Sequence, residues 1–194
     1  MTPRADARRN HARILDAAEK VLVERGTTVS TEEIARAAGV GIGTVFRHFP
    51  TKEALVQGVF VARLRRLAED AFRLAESSDP GTALGSFLRQ AVAQGEVKNA
   101  LAAMLTSAGV DLHEAAGEAQ REVRRALGTL LRSAQESGAV RRDLEVADLI
   151  GLLAGTSRAI EYAGPDTTAR DRILAVVLDG LRPPSQRTSI SSSE

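Results

Sequence analysis

Apolar residues recur at helical spacing along nearly the whole chain. Ile14, Ala17, Ala18, Val21 and Leu22 mark one face of a first helix, which Gly26 stops. Ser30-Thr31-Glu32-Glu33 then reads as a capping box, with Ser30 at the N-cap and Glu33 three residues on. It opens a short helix carrying Ile34, Ala35 and Ala38, broken by Gly39-Val40. A second short helix over Ile42 to Phe49 is closed by Pro50. Two short helices joined by a tight glycine turn make a helix-turn-helix candidate. Thr51 caps a long helix to about residue 75, with Leu55, Val59, Phe60, Leu64, Leu67, Ala71 and Leu74 as its buried stripe. Asp79-Pro80 starts another helix, expected to be irregular because of Gly85 and Gly95. Further helices are predicted at about 97–108, 112–137, 144–163 and 168–181, punctuated by Gly138 and Gly164-Pro165. Residues 183–194, Pro-Pro and a Ser-rich tail, read as a disordered end. The domain reading is 1–52, 53–182 and the tail 183–194.

Composition narrows this picture. Of 194 residues, 43% are apolar and only 3% aromatic, with no Trp. Ala and Leu dominate, so the fold class is all-α: a three-helix N-terminal helix-turn-helix domain and a larger helical domain. The absence of cysteine excludes a disulfide framework, a thiolate zinc site and a cysteine nucleophile. No apolar run approaches the ~18 residues of a membrane span, and the charged N-terminus lacks an apolar signal core. A soluble, cytoplasmic protein is expected. The net charge of +1 announces no partner, but its distribution is uneven. Residues 1–52 hold nine Lys/Arg against six Asp/Glu, and the remainder hold seventeen against nineteen. Arg4, Arg8, Arg9 and Arg13 face only Asp6 at the start.

The segment from Arg13 to Leu55 has a specific pattern. Its pieces are Ile34-Ala35, Ala38-Gly39-Val40, Gly43-Thr44-Val45-Phe46-Arg47-His48-Phe49 and Thr51-Lys52-Glu53-Ala54-Leu55. With fixed spacings over about forty residues, it resembles the DNA-binding domain of the TetR family of transcriptional regulators. A weaker likeness falls on Ala134 to Asp143, which is similar to the family's bend before its last two helices. The physics of the segment agrees. Val45 and Phe49 share a face and should pack on Ile34, Ala35 and Ala38, while Thr44, Arg47 and His48 lie mainly on other arcs. Gly41 and Gly43 let the backbone approach a ligand closely, and Lys52 follows a cap at a helix N-terminus, which favours phosphate.

The resemblance implies site residues. Thr31, Phe46, His48 and Lys52 stand where the family contacts the DNA backbone; Ile42, Gly43 and Thr44 stand where it approaches bases. Arg47 joins them as a candidate reader. Three positions depart from the family pattern. Glu32 stands where Arg is frequent, Ile42 offers only apolar contact, and Phe46 replaces a Tyr and cannot donate a hydroxyl to phosphate. Direct hydrogen-bond readout is therefore sparse, which leaves a share to DNA shape.

The resemblance further implies a homodimer formed by the last two helices, with Gly151, Leu152, Gly155, Ile173 and Val177 as interface candidates. A dimer places two recognition helices ~34–36 Å apart on palindromic double-stranded DNA. The family's middle helices are expected to hold a small-molecule effector in a mostly apolar site. Candidate lining residues are Phe60, Leu64, Phe72, Phe87, Met104, Leu105, Leu127, Leu131 and Tyr162. The leading expectation is a repressor released by that effector. An activator, a ligand-independent regulator, and a helical scaffold with a vestigial helix-turn-helix remain open on the residues alone.

An enzyme is not expected. His11, His48 and His113 are scattered, and His113-Glu114 lacks the second histidine of a metal-binding helix. Gly39-Val40-Gly41-Ile42-Gly43 lacks the following Lys-Ser/Thr of a phosphate loop. No nucleophile elbow is present, and no cofactor or metal is expected.

Overall fold

The computed structural model describes residues 3–26, 28–77, 79–164 and 166–184; the Ser-rich tail from residue 185 and Pro165 lie outside the described residues. Nine helices and no strand occur among the described residues. They are α1 (Pro3–Arg25), α2 (Thr31–Ala38), α3 (Ile42–His48), α4 (Lys52–Ser77), α5 (Pro80–Ala93), α6 (Gly95–Ser107), α7 (Leu112–Glu136), α8 (Val146–Ala163) and α9 (Thr167–Gly180). The protein is all-α, with an N-terminal helix-turn-helix and a larger helical part.

The punctuation marks explain the boundaries. Asp79 caps α5 by accepting from the Thr82 amide at 3.1 Å, with Pro80 at the first helical position. The expected irregularity reduces to one break. Gly85 sits inside a continuous α5, and the helix ends at Gln94 so that α6 can begin at Gly95. Gly95 is required there by packing: a Cβ would come within 2.5 Å of Ser157 Oγ on α8. Gly138, at φ 75°, ends α7 in the left-handed conformation that glycine adopts without steric cost. The bend that follows is pinned by Gln135, whose Nε2 donates to the carbonyls of Arg141 and Leu144 at 3.1 and 2.9 Å. The Arg141 guanidinium holds Asp143 through two 2.6 Å hydrogen bonds.

Tertiary contacts group the chain into two units. The first comprises residues 1–66 and 97–120: α1–α3, the first part of α4, most of α6 and the start of α7. Its centre includes Ile14, Ala18, Ile34, Val45, Leu55 and Val56, all fully or nearly fully buried. Polar links also bind this unit. Arg63 on α4 is buried and reaches Glu19 on α1 at 2.5 Å, and Arg66 pairs with the same carboxylate. Burial without full compensation lowers the Arg63 pKa. Gln57 donates to the Ala115 carbonyl at 3.1 Å, tying α4 to α7.

The second unit comprises residues 67–96 and 121–194. Its core is a cluster built around Phe87, Leu84, Leu127, Leu130 and Leu149, joined by Ala68, Ala71 and Ala126. Small alanines on α4 and α7 let the helices approach closely while leucines and Phe87 fill the space between them.

Glu19→Gln leaves the buried Arg63 guanidinium without its counter-charge. It is expected to lower unfolding stability by about 3 kcal/mol, because breaking a buried ion pair strands the remaining charge. Chemical denaturation checks this, and a midpoint equal to wild type would contradict it.

Candidate nucleic-acid interface

The turn between α2 and α3 is fixed at both ends by local chemistry. The Ser30 hydroxyl accepts from the Glu33 amide at 3.2 Å, and the Glu33 carboxylate accepts from the Ser30 amide at 2.9 Å, closing the capping box. These hydrogen bonds hold the Glu33 carboxyl below the usual carboxylate range, with Arg25 adding a smaller push. Gly39 ends α2 at φ 64°, ψ 36°; its amide and that of Val40 turn back onto the carbonyls of Arg36 and Ala35 at 3.1 Å. From α1, Arg13 donates to the Ala38 carbonyl at 2.9 Å, satisfying a carbonyl at the end of α2.

Helix α3 turns two side chains inward. Val45 and Phe49 are buried, as are Ile34, Ala35 and Ala38 of α2. Phe49 packs further. His11 of α1 lies over its ring at 4.8 Å between centroids, and His48 stands edge-on to His11 at 5.8 Å. Burial, with a lesser push from His48, lowers the His11 pKa. On α4, a Cβ at Gly58 would meet Phe49 Cε1 at 2.9 Å and Leu15 Cδ2 at 3.0 Å. Only a residue without a side chain allows α4 this close to the ring and to α1.

The other arc of α3 faces outward. Ile42 is 36% exposed and Phe46 45% exposed, high values for large apolar side chains. Arg47 is exposed beside them, and Thr44 and His48 are half-buried at the margins. Gly41 and Gly43 are exposed, have no positive φ, and a Cβ on either would meet no atom within 4 Å. The chain's own packing therefore does not require glycine at either position. Thr31 opens α2 half-buried. Lys52 opens α4, where the Thr51 hydroxyl caps the Ala54 amide at 3.1 Å. The Glu53 carboxyl is held below its usual range by its own amide, by the Thr51 hydroxyl and by Lys52. The structure thus gathers Thr31, Ile42, Gly43, Thr44, Phe46, Arg47, His48 and Lys52 into one unit, on α2, α3 and the start of α4.

The effector-lining candidates divide between the two units. Phe60, Leu64, Met104 and Leu105 belong to the first unit; Phe72, Phe87, Leu127, Leu131 and Tyr162 belong to the second. Phe87, Leu127 and Leu131 are consumed by the packed core, and Phe60, Leu64 and Leu105 are likewise buried. Phe72 is exposed and Tyr162 is 96% exposed, so these two aromatics do not line an enclosed space in the single chain. Leu131 alone among these nine borders a described opening, a shallow groove with Gln135 and Leu144. Helical spacing identified apolar faces but could not say which of them close against each other.

Several contributors were missed from the sequence. Arg13 and His11 act across 25 and about 38 residues of chain, beyond any local pattern. Gly58 did leave a trace: a lone glycine within the apolar stripe of a long helix marks a close approach.

A short buried-face helix after a glycine turn, presenting an exposed arc beside a capped helix start, defines a helix-turn-helix DNA-binding protein of the all-α class. Comparison with known proteins carries this to the family. Residues 14–59 match the model of bacterial regulatory proteins of the tetR family. Residues 79–183 match that of the SbtR-like transcriptional regulator C-terminal domain. A TetR transcription regulatory protein from Mycobacterium vanbaalenii is 40% identical; the alignment covers 94% of this chain and 100% of that one, with a TM-score of 0.77. The TetR transcriptional regulator SCO0520 from Streptomyces coelicolor is 33% identical over 90% of this chain and 99% of that one, with a TM-score of 0.74. The HTH-type transcriptional regulator SAR0097 from Staphylococcus aureus is 42% identical over 59 residues, 29% of this chain and 30% of that protein. The chain therefore spans less than half the length of such curated relatives, with the match confined to one part. This chain belongs to the TetR family of transcriptional regulators.

Phe49→Ala removes the buried ring that packs against His11 of α1 and Gly58 of α4. It is expected to destabilise the first unit by ~3–5 kcal/mol, as buried Phe truncations do. A thermal melt that follows wild type would contradict this assignment of Phe49 to the core.

Proposed function

We propose that the protein is a homodimeric repressor that binds palindromic operator DNA through α3 and the start of α4 and is released by a small-molecule effector. The observation that carries the DNA reading is the outward arc of α3. Two large apolar side chains, Ile42 and Phe46, are exposed beside two glycines that the chain's own packing does not require. Close approach of a partner's backbone or base edges accounts for both features. Phe46 and His48 lie against phosphates, while Ile42, Gly43 and Thr44 approach the base edges, with Ile42 meeting a thymine methyl. Arg47 supplies a further charged contact. Lys52 and the amides at the start of α4 receive a phosphate, together with Thr31 at the start of α2.

Dimerisation has parallel support. Helix α9 buries none of its residues fully within the chain, and Val176 on it is 72% exposed. On α8, Leu152 is exposed beside Gly151 and Gly155, at neither of which a Cβ would meet another atom within 4 Å. Ile173 and Val177 are half-buried on α9. An apolar face with glycines that have no internal use suits close packing against a second copy.

Helix α4 gives the two activities a common element. It begins at Lys52 in the first unit and runs unbroken into the second, 26 residues or about 39 Å. An effector that alters the helix changes the spacing of the two recognition helices. A coupling of ~1–3 kcal/mol alters DNA affinity about 5–150-fold.

Lys52→Ala is expected to weaken binding to specific and scrambled DNA alike and to make the salt dependence shallower by about one ion. Fluorescence anisotropy over a salt titration measures this, on labelled DNA from directly upstream of the gene. An unchanged salt slope would overturn the phosphate role.

A further inference from the structure

The second unit contains an opening that none of the sequence-derived candidates lines. It has a volume of about 290 Å³ and lies between α5, the first turn of α6, α8 and α9. Its apolar wall is Val92, Ile160 and Leu174. Val92 and Leu174 also border a neighbouring seam of only about 10 Å³, so α5, α8 and α9 close tightly on that side and leave the opening beside it. Buried Ser157 adds a polar group to the wall.

The charges lining the opening are not equivalent. Glu161 is already neutralised by Arg158 at 2.7 Å. Arg170 is half-buried, and its Nε donates to the Gly164 carbonyl at 2.7 Å. That hydrogen bond fixes the guanidinium plane and uses neither terminal nitrogen. Among the described residues, no carboxylate forms an ion pair with Arg170, nor with Arg89 on α5. A half-buried guanidinium held in place without an ion-pair partner among the described residues is matched by a carboxylate, whose two oxygens fit its N–H groups. Glu96 and Asp171 stand exposed at the mouth and disfavour a second negative charge on a ligand.

We propose that this opening is an effector site for a compact apolar monocarboxylate, its carboxylate on Arg170 and its body against Val92, Ile160 and Leu174. The volume lies near the lower end of the ~300–1,000 Å³ of small-molecule sites, which selects a body the size of one aromatic ring or a short acyl chain. The site rests on the effector-released reading above and gives it a location. Gly95 and Ser157 touch at its edge, and Glu96 belongs to the first turn of α6. From Val97 onward, α6 belongs to the unit that contains the helix-turn-helix. A ligand in the opening thus bears on the residues from which α6 departs.

The test uses the full chain, labelled with ¹⁵N and titrated with sodium benzoate and sodium hexanoate, with benzamide and phthalate as controls. Saturable shifts of the Gly95, Ser157 and Leu174 amides are expected for both monocarboxylates. Benzamide, phthalate and the Arg170→Gln variant with benzoate should each bind about tenfold more weakly or worse, the loss of a charged hydrogen-bonded pair. Absence of saturable benzoate and hexanoate shifts at these amides would overturn the site. Equal binding of benzamide, or unchanged benzoate affinity in Arg170→Gln, would overturn the carboxylate assignment. Anisotropy of the DNA complex separates the two levels: the proposal expects benzoate or hexanoate to release DNA. Binding at these amides with DNA affinity unchanged would overturn the effector role while leaving the DNA-binding reading intact.

Discussion

The presentation of α3 depends on one contact, the ring of Phe49 set against Gly58. A seven-residue helix cannot hold itself in water, because so few hydrogen bonds do not repay nucleation. Its position must come from packing. Phe49 supplies it by inserting against α1 and α4, with His11 over one side of the ring and the bare backbone of Gly58 beside it. Once Phe49 and Val45 point inward, the 3.6-residue period fixes what points outward. Ile42, Phe46 and Arg47 are therefore exposed as a consequence of where the ring sits.

The surrounding polar contacts limit how that arrangement can relax. Ser30 and Glu33 set where α2 starts, and Gly39 with Arg13 sets where it stops. Arg63 and Arg66 on α4 converge on Glu19 of α1, one turn after Leu15, so the helix carrying Gly58 is held along the flank of α1 that Leu15 and Glu19 share. Burial of Arg63 makes this pairing obligatory rather than additive, since the unpaired guanidinium would be costly. Helices α4 and α6 each have residues in both units, which is the covalent continuity that the proposed regulation uses.

Much of this was legible in the sequence because the chain is clearly punctuated. The Ser30 box, Gly39, Thr51 after Pro50, Asp79-Pro80, Gly138 and Gly164 each mark a helix end by local chemistry, and the helices follow them within a few residues. The inward pair Val45 and Phe49 followed from spacing alone. What was not legible depends on contacts between distant residues. Arg13 reaches Ala38 and Arg63 reaches Glu19 across 25 and 44 residues, and periodicity carries no information about such partners. The effector candidates show the same limit. Phe87 and Leu127 share a helical pattern with residues that could line a space, yet the alanines opposite them let the core close. Arg170, the residue proposed to hold a carboxylate in the opening, stands out only when its hydrogen bond to Gly164 and its lack of an ion pair among the described residues are seen together.

The most direct measurement compares wild type with Gly58→Ala on DNA that the wild-type protein selects from a random-sequence pool. Alanine favours the helix more than glycine does, so α4 and the overall helicity should be retained. The added Cβ, placed 2.9 Å from Phe49 Cε1, must displace the ring and with it α3. Native circular dichroism is expected together with at least about a tenfold loss of affinity for the selected DNA, a change of ~1.4 kcal/mol. Wild-type affinity in a folded Gly58→Ala protein would contradict the claim that this contact sets the DNA-reading face.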